Sequence, residues 1–330
     1  MNLVGKDRIL ITGGSGFIGT NLVQYLLDMN STVLNVDLQQ PLNRAHDALW
    51  VRGDILDESL LDRIFTDYHP TQVIHLAART DISEKKSLDG YRVNIEGTKN
   101  LLQVISKTPS VRRVMVTSSM LVCRLGYTPV SDQDYTPPNL YGESKVLTEQ
   151  ITRKFGLPCT WLIIRPTTIW GPWSFRYRDE FFRILQRGLY FHPGNGPVIK
   201  TYGYVGNAVY QICRFLDLSD EDVYGKTFYI GDPPMDLKTW VDKFSEGLYG
   251  KKVRVVPTWV LRCVSYAGDL LASLGIPFPL TTFRLKNMIT PHILDVDTTI
   301  KITGLPPYTM DEGVRLTIEW LRKHHHPRPL

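Results

Sequence analysis

Tyr141 and Lys145 are spaced so that both side chains could act on one reacting group. Residues at i and i+4 lie on the same face of an α-helix, and Val146 and Ile151 continue a helical pattern after them. A phenol ordinarily titrates near ~10, too high for a general base at neutral pH, but a neighbouring positive charge lowers its pKa. The pair therefore predicts a tyrosine general base assisted by a lysine. The alternative is an exposed Tyr–Lys pair without a chemical role.

A run of hydroxyl side chains, Thr117–Ser119, ends an apolar segment and stands 22 residues before Tyr141 when counted from Ser119. Ser119 would hydrogen-bond the reacting oxygen alongside Tyr141. In the alternative interpretation the three hydroxyls only cap the end of a strand. Pro137 and Pro138 place the residues before Tyr141 in a loop, which suits a helix that begins above a cleft.

A glycine-rich segment, Gly13–Gly19 (GGSGFIG), follows the first apolar run and opens the first helical pattern. A pyrophosphate needs close approach of the backbone, which a Cβ obstructs, and N–H donors at a helix N-terminus. Gly13, Gly16 and Gly19 would supply the turn, the close approach and the tight helix–strand packing. In this strand–helix context the pattern predicts dinucleotide binding, with an ordinary glycine-rich turn as the alternative.

An acidic residue, Asp37, ends the second apolar run 18 residues after Gly19. A carboxylate at this position accepts hydrogen bonds from the adenosine ribose and repels a 2′-phosphate, so NAD is predicted over NADP. Arg44 downstream could complicate that choice. Asp54 ends the third run and could meet the adenine amino group, although an Asp at the end of a strand is also a frequent turn former.

Short apolar runs alternate with helical patterns through the first half of the chain. The runs interpreted as strands are Arg8–Thr12, Thr32–Asp37, Leu49–Gly53, Gln72–Ala77, Val111–Ser118 and Thr160–Arg165. Strands that are nearly all apolar are typical of a parallel sheet covered by helices on both faces. The alternation therefore predicts the α/β class, with a doubly wound parallel sheet of the Rossmann type.

The pattern changes after Pro172, where prolines and glycines become frequent and short strands separate helices. Helical patterns are Phe181–Leu189, Ala208–Leu216, Leu237–Leu248, Val260–Leu274 and Met310–Trp320, and strands are Thr227–Ile230 and Val253–Val256. We predict an NAD-binding Rossmann domain over residues 1–172, to which parts of 198–232 return. Residues 173–330 are predicted to form a smaller α+β substrate-binding portion with a tight interface to it.

Composition excludes several other classes of protein. The chain is 43% hydrophobic and 22% charged, as is ordinary for a globular protein, and its net charge of +5 suits an anionic cofactor and substrate. Nucleic-acid binding is not predicted because no Lys/Arg run is interleaved with aromatic residues. The scattered cysteines Cys123, Cys159, Cys213 and Cys263 indicate reduced thiols rather than a disulfide framework.

The most apolar stretch, Trp259–Leu280, is interrupted by Arg262 and Asp269 and closed by prolines. It predicts a packing helix rather than a membrane span. The first strand begins almost at once without a signal-like segment, so a cytoplasmic location is expected. The histidine run at 324–326 lies in a Pro/Arg-containing tail, where a frayed end is predicted rather than a metal site.

Together these motifs give the chain a resemblance to one family. They are GGSGFIG (13–19), Asp37, GDILD (53–57), HLAA (75–78), VNIEGTKNLL (93–102), VTSS (116–119), YGESK (141–145) and RPTTIWGP (165–172). Weaker similarity continues through GNGPVI (194–199) and TMDEGVRLTIEWLR (309–322). The chain resembles the extended short-chain dehydrogenases/reductases, a group with nucleotide-sugar epimerases, dehydratases, reductases and 3β-hydroxysteroid dehydrogenases.

The resemblance implies an NAD-dependent enzyme and assigns roles to residues. Catalysis would fall to Ser119, Tyr141 and Lys145. The NAD site would comprise Gly13, Gly16, Phe17, Ile18, Gly19, Asp37, Asp54, Ile55, Leu76, Ala77, Ala78, Asn94, Tyr141, Lys145 and Pro166. The family often forms dimers through two helices, here at residues 93–105 and 141–155, so a homodimer is expected.

Departures from the family pattern narrow the reaction. Met120 and Leu121 stand where dehydratases of this group carry the Asp-Glu pair that eliminates water, so dehydration is disfavoured. Cys123 replaces a usual aromatic residue, Thr168 a frequent Asn that touches the substrate diphosphate, and Asn207 a usual Asp. Substrate contacts are predicted for Ser119, Thr168, Arg176, Arg178 and Lys200. Arg176, Arg178, Lys200 and the 194–196 glycine loop could bind a diphosphate, since arginines pair bidentately with phosphates. The alternative is that these charges belong to an exposed loop that only keeps the protein in solution.

The working hypothesis is a nucleotide-sugar 4-epimerase, or a related sugar-nucleotide oxidoreductase, that acts through a transient keto sugar. An epimerase regenerates its own NAD, which agrees with the predicted cofactor. The alternative is an NAD-dependent dehydrogenase similar to the 3β-hydroxysteroid enzymes, whose tail the segments Val260–Leu274 and Ile276–Arg284 resemble. A non-catalytic NAD-binding scaffold or sensor is a third possibility, against which the Ser–Tyr–Lys set argues.

Overall fold

A seven-stranded parallel sheet forms the centre of the computed structural model, which describes residues 7–82, 84, 86–194, 196–276 and 278–324. The strands of the described residues, both inside and outside this sheet, are β1 (Arg8–Thr12), β2 (Thr32–Asp37), β3 (Trp50–Arg52), β4 (Gln72–His75), β5 (Arg113–Thr117), β6 (Thr160–Pro166), β7 (Thr168–Trp170), β8 (Phe191–Pro193), β9 (Ile199–Lys200), β10 (Tyr202–Tyr204), β11 (Thr227–Ile230), β12 (Met235–Asp236) and β13 (Arg254–Val256). The sheet order is β11-β6-β5-β4-β1-β2-β3, and every neighbouring pair is parallel.

Helices connect the strands and cover the sheet. They are α1 (Phe17–Asp28), α2 (Glu58–Tyr68), α3 (Arg92–Ser106), α4 (Leu140–Lys154), α5 (Phe175–Tyr177), α6 (Arg183–Gln186), α7 (Val205–Asp217), α8 (Asp220–Val223), α9 (Leu237–Tyr249), α10 (Thr258–Ser273), α11 (Thr282–Ile289), α12 (Asp297–Thr303) and α13 (Met310–Lys323). A π-helical turn, Arg178–Phe182, joins α5 to α6.

The first strand shows why the sheet must be covered on both faces. Ile9, Leu10 and Ile11 of β1 are all completely buried. Ile9 and Ile11 pack in the cluster that contains α1 and α7, whereas Leu10 packs in the cluster that contains α2 and α3. Successive side chains of a strand point to opposite faces, so an all-apolar strand requires helices on each side. The predicted doubly wound parallel sheet is thereby confirmed.

The strand order changes direction between β1 and β4, which are neighbours in the sheet. From β1 the chain adds β2 and β3 toward one edge, and from β4 it adds β5 and β6 toward the other. In open α/β sheets, ligands bind outside the carboxyl ends of the strands at this topological switch point. β11 adds to the far edge beside β6 and comes from beyond residue 172. The division of the chain at residue 172 stays a prediction of the sequence.

Beyond the sheet, an aromatic cluster and three two-stranded ladders form the remaining part of the molecule. Trp170 and Trp240 are buried, and their ring centroids lie 5.8 Å apart. Phe244 packs against both rings, and Phe182 packs against Phe244. The ladders pair β10 with β7, β12 with β9 and β13 with β8. His324 stacks on Trp320, while His325 and His326 lie outside the described residues.

The prediction of a packing helix over Trp259–Leu280 is wrong in one respect. A helix forms there, α10, but only Thr258, Leu261, Ser265 and Gly268 are buried, and most of its large apolar side chains are exposed. Apolar residues in a helical pattern predict an apolar helix face, but they do not show whether the rest of the chain covers that face. Among the described residues, no helix is long and apolar enough to cross a membrane.

Candidate active site

The glycine-rich segment forms the turn between β1 and α1, as predicted. Gly13 has φ +80°, and a Cβ on it would lie 2.5 Å from the backbone nitrogen of Ala77, so this position requires glycine. Gly19 cannot carry a Cβ either, because it would collide with the carbonyl oxygen of Gly13. Gly16 is the N-cap of α1 and brings no side chain to cap it. The first N–H groups of α1 therefore remain available for an anion.

Asp37 lies at the end of β2, directly beside this turn. Its carboxylate accepts hydrogen bonds from the backbone nitrogens of Ser15, at 3.0 Å, and Gln39, at 2.9 Å. Burial raises the pKa of Asp37, and the backbone hydrogen bonds oppose that shift. Arg44, which could have favoured NADP, instead contacts Gln40 and Asp47. A half-buried carboxylate beside an uncapped helix N-terminus fits the adenosine ribose and pyrophosphate of NAD.

The two predicted residues after β3 have local structural tasks. Asp54 accepts a hydrogen bond from the backbone nitrogen of Leu56 at 2.9 Å, which is the turn-forming role. Ile55 is buried, and a Cβ on Gly97 of α3 would lie 2.5 Å from its terminal methyl group. Contact of Asp54 and Ile55 with the adenine remains a prediction.

Asn94 of α3 holds the loop that follows β4. Its side-chain oxygen accepts from the backbone nitrogen of Arg79 at 2.8 Å, and its side-chain nitrogen donates to the carbonyl of Arg79 and to the hydroxyl of Ser144. The amide is therefore occupied, and Asn94 positions the backbone of Leu76–Ala78 beside the glycine turn instead of offering a free group to a cofactor. Pro166 ends β6 and is half-buried.

Ser119, Tyr141 and Lys145 meet at the carboxyl end of β5, as predicted. The ammonium of Lys145 donates to the carbonyl oxygen of Thr117 at 2.9 Å, and the hydroxyl of Ser119 accepts from the backbone nitrogen of Leu121 at 3.1 Å. Ser119 also hydrogen-bonds the Tyr141 hydroxyl, which lowers the pKa of that phenol. All three side chains are buried.

The electrostatics of the pair differ from the sequence-based expectation. Burial raises the pKa of Tyr141 to about 12, against the lowering effects of Ser119 and the nearby Arg176. Burial lowers the pKa of Lys145 to about 8, and the carboxylate of Glu149 opposes this shift. Lys145 directs its ammonium to a carbonyl, so the protein alone leaves the phenol protonated. A positive charge beside the phenol, such as that of an oxidised nicotinamide, would lower this pKa.

A buried ion pair beneath Lys145 was missed by sequence reasoning. Glu149 is completely buried and accepts hydrogen bonds from Ser118, from Tyr135 and twice from Arg165 of β6. Arg165 is 1% exposed, and both of its contacts with Glu149 are 2.8 Å long. The only signal in the sequence was the spacing, since Glu149 continues the face of Tyr141 and Lys145 by one more turn.

The predicted substrate residues do not all face the same space. Thr168, Arg176 and Lys200 line one large cavity, of about 1650 Å³, which begins beside the catalytic helix at Asn139 and Leu140. Burial lowers the pKa of Lys200 to about 8. Arg176 contacts Glu180 at 3.3 Å and lies close enough to Tyr141 to affect its pKa.

Two substrate predictions are corrected by the structure. Arg178 pairs with Asp179, covers the ring of Phe175 and donates to the carbonyl of His324, so it turns toward the C-terminal helix. It is not among the residues that line the large cavity. In the 194–196 loop, Gly194 packs against Val255 and lines a different groove, and Asn195 lies outside the described residues.

The lining of the large cavity is mainly apolar. Met120 and Leu121 lie next to Ser119, aromatic rings such as Tyr177 and Trp240 form the middle, and Val264 and Phe283 belong to α10 and α11. Asn207, which replaces a usual Asp, lies elsewhere and bonds Asp232 and Tyr308 instead. Among the described residues, no group of three or more His, Cys, Asp or Glu side chains could hold a metal ion.

The comparison with protein families settles the class of this site. Residues 9–231 match the family described as "NAD dependent epimerase/dehydratase family". The chain belongs to that family. It is therefore an enzyme of the extended short-chain dehydrogenase/reductase type, and NAD is its cofactor, as the sequence predicted.

Relatives of this epimerase/dehydratase family member differ in their substrates. N-acetyl-alpha-D-glucosaminyl-diphospho-ditrans,octacis-undecaprenol 4-epimerase of Escherichia coli O157:H7 is 27% identical over 328 residues, 96% of this chain and 95% of that protein. The mouse (Mus musculus) sterol-4-alpha-carboxylate 3-dehydrogenase, decarboxylating, is 28% identical over 345 residues, 97% of this chain and 92% of that protein. The crystal structure of UDP-glucose 4-epimerase with UDP-glucose from Thermotoga maritima superposes with a TM-score of 0.74, at 23% identity, covering 97% of this chain and 100% of that one.

Proposed function

We propose that this enzyme is an NAD-dependent 4-epimerase of a sugar linked through a diphosphate, the nucleotide sugars being the class expected from the sequence. The observation that carries the proposal is the meeting of Ser119, Tyr141 and Lys145 at the carboxyl end of β5, where Met120 and Leu121 replace the acids of a dehydratase. The similarity to a 4-epimerase over almost the full length of both chains supports the same reaction.

The residues of the site would divide the work as follows. Gly13, Gly16 and the first turn of α1 would hold the pyrophosphate, and Asp37 would accept from the ribose. Hydride transfer from the sugar carbon and back to its opposite face is the chemistry that NAD would supply when bound there. Tyr141 would take the proton of the sugar hydroxyl and later return a proton to the oxygen of the keto sugar, while Ser119 hydrogen-bonds that oxygen.

Lys145 and Arg176 would supply positive charge around the reacting groups. The Lys145 ammonium could reach the nicotinamide ribose, and Arg176, which already lowers the pKa of Tyr141, stands at the cavity wall where a diphosphate would pass. Lys200 and Thr168 line the same cavity. These substrate contacts are proposals that follow from position and charge.

The proposal is tested with purified enzyme, a catalytic amount of NAD and a panel of substrates. The panel contains UDP-, GDP-, dTDP- and CDP-sugars and N-acetylglucosaminyl-diphospho-undecaprenol, with products followed by NMR. We expect inversion at C4 of one member without net formation of NADH. Conversion of none of them, or stoichiometric NADH, would overturn the proposal.

A second candidate is an NAD-linked dehydrogenase of a 3β-hydroxysteroid or sterol. The apolar lining of the large cavity favours it, since a sterol needs few polar contacts, and the similarity to the mouse sterol dehydrogenase agrees. This candidate predicts stoichiometric NADH with a 3β-hydroxysterol and no conversion of any sugar diphosphate. The same pair of assays therefore separates the two functions.

Two further expectations from the sequence belong to this proposal. α3 and α4 pack side by side, and we propose that two copies of the chain associate through them, as in the family. Light scattering that shows a monomer would contradict this. A cytoplasmic location is likewise proposed.

A further inference from the structure

The outward face of α10 is apolar, although a surface helix ordinarily turns its polar side to water. We call this surface the α10–α11 face. It consists of Trp259, Cys263, Tyr266, Leu270 and Leu274, with Ile276 and Phe283 beside them. The four large side chains of α10 and its C-cap, Trp259, Tyr266, Leu270 and Leu274, are between 65% and 69% exposed, and Phe283 is 60% exposed. Exposed apolar patches of this kind mark interaction surfaces.

Packing fixes the helix in this orientation. The side that faces the protein carries small residues, among them Ser265 and Gly268, and a Cβ on Gly268 would collide with the carbonyl oxygen of Leu280. Asp269 joins α10 to α11 by accepting from the hydroxyl of Thr282 at 2.6 Å and from its backbone nitrogen at 3.1 Å. Rotation of α10 to bury its leucines would break these contacts.

The stretch of sequence that carries the α10–α11 face is rich in cations. Residues 251–294 contain one carboxylate, Asp269, and six cations, which are Lys251, Lys252, Arg254, Arg262, Arg284 and Lys286. This balance of +5 equals the net charge of the whole chain. All six cations are exposed, whereas Asp269 is half-buried and bonded to Thr282. The face therefore complements a surface that is apolar inside and anionic at its rim.

The large cavity reaches the surface at this face. Val264 and Phe283 are exposed and also line the cavity, which continues past Leu261 toward Leu121 beside the catalytic serine. The cavity thus extends from the α10–α11 face to Met120 and Leu121, the residues that follow Ser119.

We propose that the α10–α11 face docks on an anionic lipid bilayer, so that the mouth of the cavity lies against the lipid. An apolar helical face with aromatic residues and flanking cations is the composition of helices that lie in the bilayer interface. Contact with a second copy through this face would bring the same cations opposite each other. We further infer that the cavity receives the lipid chain of a sugar diphosphate held in that bilayer. This second inference rests on the proposed 4-epimerisation.

The docking is tested by flotation of the purified full chain with vesicles. One set is phosphatidylcholine alone, and the other is an equal mixture of phosphatidylcholine and phosphatidylglycerol. We expect binding to the anionic vesicles that weakens with salt. A double variant, Leu270→Asp with Leu274→Asp, should bind more than about tenfold less, because a leucine buried in an apolar phase contributes on the order of a decade in affinity. Arg262→Gln should cost about fivefold.

Two exposed apolar residues outside the face provide the matched controls. Val130 is 93% exposed and Leu305 is 80% exposed, and Val130→Asp and Leu305→Asp should float like the unaltered protein. Circular dichroism and the melting temperature should be unchanged in all variants, since every altered side chain is exposed. The proposal would be overturned if the protein floated with neither kind of vesicle. It would also be overturned if Val130→Asp and Leu305→Asp lost as much vesicle binding as the double variant. A dimer in light scattering that only the Leu270/Leu274 double variant dissociates would overturn it as well.

Flotation requires no turnover, so it separates this inference from the proposed function. An enzyme that floats but inverts no sugar would keep the docking face and lose the epimerase proposal. An enzyme that inverts a sugar but does not float would keep the epimerase proposal and lose the docking face. The role of the lipid chain is tested with the Leu270/Leu274 double variant. It should turn over the vesicle-borne undecaprenol substrate more slowly than the unaltered enzyme, while its rate on any soluble nucleotide sugar is unchanged. If the double variant matched the unaltered enzyme on both substrates, the cavity would not receive the lipid chain.

Discussion

At the scale of single residues, burial sets the electrostatics of Tyr141 and Lys145. Burial raises the pKa of Tyr141 to about 12, and Lys145 donates to a carbonyl instead of to the phenol. A phenol with that pKa is protonated at neutral pH and cannot act as a base. An oxidised nicotinamide carries a positive charge that the reduced form lacks, so we expect bound NAD to lower the pKa of Tyr141 more than bound NADH does.

Tyr141→Phe tests this coupling. We expect kcat to fall by about 10²–10⁴-fold, as for loss of a general base, with NAD binding retained. The phenolate absorbance of Tyr141, taken as the difference between the unaltered protein and this variant, should appear at lower pH with NAD than with NADH or no cofactor. The same titration midpoint in all three conditions would contradict the coupling.

Asp37 is the residue that should select NAD over NADP. In Asp37→Ser, the repulsion between a half-buried carboxylate and a 2′-phosphate disappears, so the Kd for NADP should fall by more than about tenfold relative to that for NAD. Asp28→Ser, at the opposite end of α1, is the control and should leave both affinities unchanged. Fluorescence titration with each reduced cofactor measures the ratio. An unaltered preference in Asp37→Ser would assign the selection to another group.

At the scale of elements, α4 carries both the chemistry and its support on one face. Tyr141, Lys145 and Glu149 follow each other at one-turn intervals, and Glu149 ties the helix to β6 through Arg165. Because the Glu149 carboxylate raises the pKa of Lys145 against the effect of burial, it helps to keep that lysine charged. Glu149 is therefore a positioning residue that also tunes the charge of its neighbour.

Glu149→Gln should act on stability and on the pH profile together. Breaking a buried ion pair leaves Arg165 uncompensated and should lower the free energy of unfolding by about 3–5 kcal/mol. Without the carboxylate the pKa of Lys145 falls further, so the loss of kcat/KM at alkaline pH should begin at lower pH. Glu319→Gln, which breaks an exposed pair with Arg315, should cost about 0.5 kcal/mol or less and leave the profile unchanged. A destabilised Glu149→Gln enzyme with an unshifted profile would reduce Glu149 to a purely structural role.

The elements also show what could be predicted from the sequence. The strands of the main sheet were recognisable because a strand buried on both faces is apolar throughout, and the glycine turn because its geometry admits few residues. The orientation of α10 could not be predicted, because the hydrophobicity of a helix does not show which surface it contacts. The Glu149–Arg165 pair was missed because its partners lie on different elements, and charged residues are rarely buried unless paired. Arg178 was misplaced because a cation in a loop has no sequence signal for its direction.

At the scale of the whole molecule, the cofactor site exists only in the folded chain. Gly13 follows β1, Asp37 ends β2 and Ala77 follows β4, while Tyr141 lies in the first turn of α4. The predicted cofactor residues therefore come from distant parts of the sequence. A ligand that binds such a site stabilises the native state alone. NAD at 100 times its Kd should therefore add about 2.7 kcal/mol to the free energy of unfolding.

Gly13→Ala separates this linkage from ordinary backbone strain. Both Gly13 and Gly156 have positive φ, +80° and +72°, so an alanine at either position is strained and should lower the melting temperature by itself. At Gly156 nothing lies within 4 Å of the added Cβ, whereas at Gly13 it meets the backbone of Ala77. Gly156→Ala should therefore keep the rise in melting temperature with NAD, and Gly13→Ala should lose it, as measured by differential scanning fluorimetry across a cofactor titration. If Gly13→Ala retained the full rise, the cofactor would have to bind away from the turn between β1 and α1.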